Sequence, residues 1–141
     1  MADFIDHLHQ ALHNLDCAKR FVANSNDRDW AITAAFYSAV HFAEAGFIST
    51  DVIHSELKCP QGITPHKFRE EKVKEKFGIT CYRSYRKLIN ASYNVRYLPM
   101  AFSRTGMALD YYSQDDAKRF IDADIPIIIN EIQLATNMKL E

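Results

Sequence analysis

The chain has 141 residues, of which 48% are hydrophobic and 25% charged, and its formal net charge is −1. That is the balance of an ordinary soluble globular chain with one core, here residues 1–141 as a single helical domain, and its bulk charge argues neither for nor against a nucleic-acid partner. Three cysteines without a CxxC pair give no disulfide or zinc framework and fit a reducing cytoplasm.

The first ten residues, MADFIDHLHQ, carry acids and histidines where a secretory signal needs positive charge and then an apolar run. No stretch offers the roughly 18–20 uninterrupted apolar residues of a membrane span, so a cytoplasmic protein without a membrane partner is expected. Residues 3–23 read as the first helix, with Phe4, Leu8, Ala11, Leu12, Leu15, Ala18 and Val22 on one face. Asn24-Ser25-Asn26-Asp27 ends it, and Asp27 or Asp29 is placed to cap a second helix running to about Ser49.

That second helix is apolar almost all the way round between Trp30 and Phe47, the pattern of a helix in the middle of a bundle. Thr33, Tyr37, His41 and Glu44 nevertheless form one narrow polar seam along it at helical spacing. A polar seam inside a core needs partners. Residues 50–65 are a long connection. Thr64-Pro65 then forms an Ncap–N1 pair for a short charged helix over about 66–77, which Gly78 ends. The next helix runs from about Thr80 to Leu98 and stops at Pro99. Residues 99–112 read as an irregular loop with a helical turn near Ala108. Ser113-Gln-Asp-Asp116 resembles a capping box and opens a last helix, about 114–138, which Pro126 should kink.

The reading is all-α: an antiparallel four-helix up-and-down bundle with one additional short helix. Charge is uneven along it. Residues 66–87 hold eight Lys/Arg against three Glu, and residues 110–141 hold seven Asp/Glu against three Lys/Arg. A salt-bridged surface or a basic patch for phosphates both follow from that split.

The fourth helix offers the seam a facing set. Tyr82, Tyr85, Leu88, Ile89 and Val95 define its apolar face, and Ser92 and Arg96 fall on the same face. An arginine pointing into a core must find acceptors, and Glu44 is the natural one, with Tyr37 and His41 adding hydrogen bonds. Arg96–Glu44 is then a structural salt bridge between helices. The functional alternative has Arg96, with His41 or Tyr37, facing a cleft and gripping phosphate through its planar fork. His9 and His13 have metal-chelating spacing, with Asp6 and Asp16 on the same side, but a solvated face explains them and no metal is expected. His54 and His66 receive no role. The run Tyr82, Arg83, Tyr85, Arg86, Lys87, Tyr93, Arg96, Tyr97 has the composition of a base-stacking surface, although much of its tyrosine suits a core.

Two segments resemble the HEPN superfamily of small helical bundles: W-A-I-T-A-A-F-Y-S-A-V-H-F-A-E-A at 30–45 and Y-R-K-L-I-N-A-S-Y-N-V-R-Y at 85–97. Many members are metal-independent RNases of toxin–antitoxin or defence systems, marked by an Arg with a His four to six residues downstream. This chain departs from that pattern. No Arg has a His at that distance, Arg83 is followed by Asn90, which cannot do acid–base work, and Arg96 is followed by apolar residues and Pro99. The resemblance therefore implies a non-catalytic or degenerate module, commonly dimeric, that binds a nucleotide, RNA or a partner protein through Tyr37, Glu44, Ser92 and Arg96, without a cofactor. One alternative is a divergent metal-independent RNase with His41 as general acid–base and Arg96 on the phosphate. Another is a purely structural interaction domain.

Overall fold

The computed structural model describes residues 2–50, 59–97 and 111–140, and among them the fold is all-α, with no strand. Helix α1 spans Phe4–Val22 and opens with a capping box in which Asp3 and Asp6 exchange side-chain-to-backbone bonds. A 3-10 turn, Ser25–Asp27, is capped by Asn24 and leads into α2, Arg28–Ser49. Asp27 sits at the α2 N-cap but makes no side-chain cap bond, and Asp29 lies inside the helix, so neither expected cap forms. The 3-10 turn already satisfies the entry to α2, with Asp27 N–H bonded to the Asn24 carbonyl.

Helix α3, Pro65–Phe77, begins as the sequence indicates: Thr64 Oγ1 accepts from the Lys67 amide at 3.2 Å, and Pro65 occupies the first turn. Gly78, at φ +92°, ends it in a conformation that side-chain-bearing residues rarely adopt. Helix α4 spans Ile79–Tyr97. The expected stop at Pro99 and the expected turn near Ala108 lie outside the described residues. The last helix, α5, starts at Gln114 behind a Ser113/Asp116 capping box with both bonds at 3.0 Å. It runs to Arg119, passes through a π-helical segment, Phe120–Asp124, and continues as Ile125–Thr136. The π segment ends two residues before Pro126. Proline lacks the N–H for the next helical bond and its ring crowds the carbonyl four residues back. Widening the turn, with Ile125 N–H reaching back to Phe120 O, is the local adjustment made where a kink was expected.

Helix α2 is central and packs against α1, α4 and α5. Ala31, Ala35, Phe36, Ala39, Phe42, Ala43, Ala45 and Phe47 are fully buried. Ser25–Ser49 has the length and mean hydropathy of a membrane span, but 72% of its most apolar window is buried against the other helices, as in the middle helix of a bundle. Small residues along α2 admit close neighbours. The Ser38 hydroxyl donates to the Ala11 carbonyl of α1 at 2.8 Å. At the other end, Gly46 meets α3 and α5, where Phe47 and Phe77 stack at 5.2 Å.

A Cβ on Gly46 would lie 2.7 Å from both Ile132 Cγ2 and Phe77 Cζ. Gly46→Ala should therefore destabilise the protein by about 1–3 kcal/mol in urea denaturation, despite alanine's better helix propensity. The Cys81 thiol is fully buried on α4, and burial, with Glu131 nearby, pushes its pKa up to about 12. Only thiolate reacts, so at about pH 8 the native protein should leave Cys81 unlabelled by a thiol reagent until denaturant is added.

Candidate functional site

The polar seam of α2 is met by three helices, not one. Glu44 is 1% exposed, and its Oε1 accepts from Arg69 Nε of α3 at 2.8 Å. Arg69 is itself 3% exposed. The expected Arg96–Glu44 bridge does not form. The reason is axial distance: Glu44 lies seven residues beyond Tyr37, about 10 Å along the helix at 1.5 Å per residue. An arginine that reaches Tyr37 from α4 is two turns short of Glu44, and α3 fills that interval.

Arg96 is half-buried. Its Nη1 donates to Tyr37 Oη at 2.9 Å and its Nε to the Ser92 carbonyl at 3.2 Å. The guanidinium carbon lies 5.7, 5.5 and 5.0 Å from the ring centres of Phe36, Tyr37 and Tyr97. No carboxylate among the described residues pairs with it. Arg96 is thus a cation held by rings and neutral oxygens, which stabilise it without neutralising it.

Arg69 connects the buried pair to the ring cluster. Its Nη1 lies 3.0 Å from His66 Nδ1. Arginine can only donate, so His66 Nδ1 accepts and the neutral ring carries its proton on Nε2. The His66 ring lies 5.6 Å from Phe36 and 6.4 Å from Tyr37. His66, given no role from the sequence, therefore belongs to the site. Burial alone would lower the Arg69 pKa, but Tyr85 and Glu44 outweigh it and hold the group above its ordinary value, so it stays charged. Tyr85 is buried, and burial pushes its hydroxyl well above the usual tyrosine range against the pull of Arg69, so it stays neutral. Its Oη nevertheless makes no hydrogen bond of good geometry.

His41 sits between the two clusters on α2 and turns toward α1. Its Nδ1 lies 3.0 Å from Nδ1 of His7, a residue 3% exposed. One ring must donate and the other accept, so a single proton is shared across the α1–α2 contact.

The remaining sequence candidates separate from this site. Thr33 bonds back to the Asp29 carbonyl of its own helix at 3.0 Å. Ser92 is fully buried and its hydroxyl is unpartnered, so it serves through its carbonyl and not as a ligand-binding hydroxyl. His9, His13, Asp6 and Asp16 are exposed on α1, and no group of three potential metal ligands occurs among the described residues. His54 lies outside the described residues. Tyr93 and Tyr97 are exposed at the end of α4 with rings 5.0 Å apart, continuing the aromatic surface outward from Arg96.

Arg69 and His66 were missed because α3 reads as a charged surface helix. A signal was present. Arg69, Val73 and Phe77 recur at four-residue intervals, so Arg69 lies on the stripe that carries α3's buried apolar residues. His66, three residues earlier, shares that side.

Comparison of the chain with protein-family models, with curated proteins and with solved structures finds no match.

The two arginines should respond differently to substitution. Glu44→Gln leaves Arg69 buried with only a neutral partner and should cost about 3–5 kcal/mol of unfolding free energy. Arg96→Met, which removes two hydrogen bonds from a half-buried residue but keeps an apolar stem, should cost less than about 2 kcal/mol. Chemical denaturation of the two variants checks both values.

Proposed function

We propose that the protein is a HEPN-like module, without the Arg–His ribonuclease motif, that binds the phosphate of a nucleotide or RNA at Arg96. One observation carries the reading. Arg96 is a half-buried guanidinium in a box of Phe36, Tyr37 and Tyr97, and no carboxylate among the described residues neutralises it. A planar fork with unused donors matches phosphate oxygens, and the exposed Tyr93–Tyr97 pair offers a face for a base. Glu44 and Arg69 support the site from beneath as its packing lock. Binding of a partner protein through the same rings is the outcome if no phosphate ligand is taken. In this proposal the protein is cytoplasmic and homodimeric.

A second reading, metal-independent RNA cleavage with His41 as general acid–base and Arg96 on the phosphate, has the shared His7–His41 proton in its favour. Cleavage of RNA in the presence of chelator, lost in His41→Ala, would establish it.

The binding proposal is tested by fluorescence anisotropy with a labelled oligoribonucleotide and by thermal shift with mononucleotides. Arg96→Met should weaken binding by about tenfold or more, equivalent to roughly 1.4 kcal/mol, while the melting temperature of the free protein changes little. No response of the wild type to either ligand at millimolar concentration contradicts it.

A further inference from the structure

Away from Arg96, a cavity of about 190 Å³ opens between α4 and the π segment of α5, lined by Lys87, Tyr112, Asp116, Arg119, Phe120 and Asp124. Its floor is a carboxylate. Asp124 is 4% exposed, and its Oδ1 accepts from the Ser84 hydroxyl at 2.9 Å. Lys87 Nζ approaches the same oxygen only to 3.8 Å, from a side chain that is 65% exposed. No hydrogen bond from the described residues reaches Oδ2. Oδ2 is not fully enclosed, so a donor from water or from a ligand in the cavity can reach it.

The walls are aromatic. Tyr112 and Phe120 meet edge to face at 5.7 Å and 75°, and Asn94 fixes the Tyr112 hydroxyl with a 2.9 Å bond. The rim is basic. Lys87 stands on α4, while Arg119 reaches out from α5, partly neutralised by Asp116 at 2.9 Å. The π segment produces the arrangement, because Phe120 and Asp124 are its first and last residues and both line the cavity. Such segments recur at functional sites.

We propose that this cavity is a binding site for a small zwitterion of the free amino acid type. Its ammonium donates to Asp124 Oδ2 at the floor, its carboxylate pairs with Lys87 and Arg119 at the rim, and its side chain lies along Tyr112 and Phe120. The lining carries two cations, Lys87 and Arg119, and two carboxylates, Asp116 and Asp124, so a ligand carrying both charges matches floor and rim better than a lone cation or a lone anion. The volume is below the roughly 300–1,000 Å³ of pockets that take drug-sized ligands, which excludes a dinucleotide-sized occupant. The site is independent of the phosphate reading at Arg96 and stands or falls separately.

The test is calorimetric titration of the full chain with three probes: L-phenylalanine, phenethylamine, which lacks the carboxylate, and 3-phenylpropionate, which lacks the amine. L-Phenylalanine should bind at least about tenfold more tightly than either half-analogue, a gap of roughly 1.4 kcal/mol. Asp124→Asn, which keeps an acceptor for Ser84, should abolish that preference. Lys87→Met, a change at an exposed side chain that leaves folding untouched, should weaken L-phenylalanine binding several-fold and leave phenethylamine unaffected or improved. Absence of heat with L-phenylalanine at about 10 mM, equal binding of a half-analogue, or wild-type binding by Lys87→Met would each overturn the proposal.

Discussion

The buried ion pair between Glu44 of α2 and Arg69 of α3 is the constraint on which the rest of the arrangement depends. Two charges removed from water are tolerated only if each satisfies the other, and the nearby groups complete the satisfaction. Arg69 spends Nε on Glu44 and Nη1 on His66, and it polarises the space around Tyr85. A helix as short and charged as α3 has little intrinsic reason to lie in one place. The pair fixes it, together with the Val73 and Phe77 stripe and the close approach of Phe77 to Gly46.

A consequence follows for Arg96. Once Glu44 is committed to Arg69, the α4 arginine has no acid to neutralise it among the described residues, and it settles instead against Phe36, Tyr37 and Tyr97. One arginine is consumed by the fold and the other is left charged at its edge. The His66 tautomer links the two, because the same Arg69 that holds Glu44 also sets which His66 nitrogen bears the proton. His7 and His41 add a contact to α1 along the same seam. The polar seam is thus a set of three contacts made to three different helices, with α1 at His41, α3 at Glu44 and α4 at Tyr37.

Most of the secondary structure was legible because short-range chemistry wrote it. Thr64-Pro65 starts α3, Gly78 ends it, and Ser113 with Asp116 starts α5, each by a bond spanning three or four residues. The Asp3–Asp6 box follows the same rule as Ser113–Asp116, although only the helix it opens is among the expectations from the sequence. The seam itself was legible as a helical period on α2. Its partners were not, because a period shows that a face is polar without showing which helix covers it. The apolar face of α4 advertises its inward side, whereas the charge of α3 conceals Arg69 on the buried stripe. The His7–His41 contact depends on the relative rotation of α1 and α2, which no local pattern contains.

Glu44 belongs to Arg69, and Arg96 is left available. A pair of double-mutant cycles read by urea denaturation tests this most directly, one between Glu44→Gln and Arg69→Met, the other between Glu44→Gln and Arg96→Met. The first cycle should give a coupling of about 2 kcal/mol or more and the second less than about 0.5 kcal/mol. A large coupling between Glu44 and Arg96, with little between Glu44 and Arg69, would contradict the account.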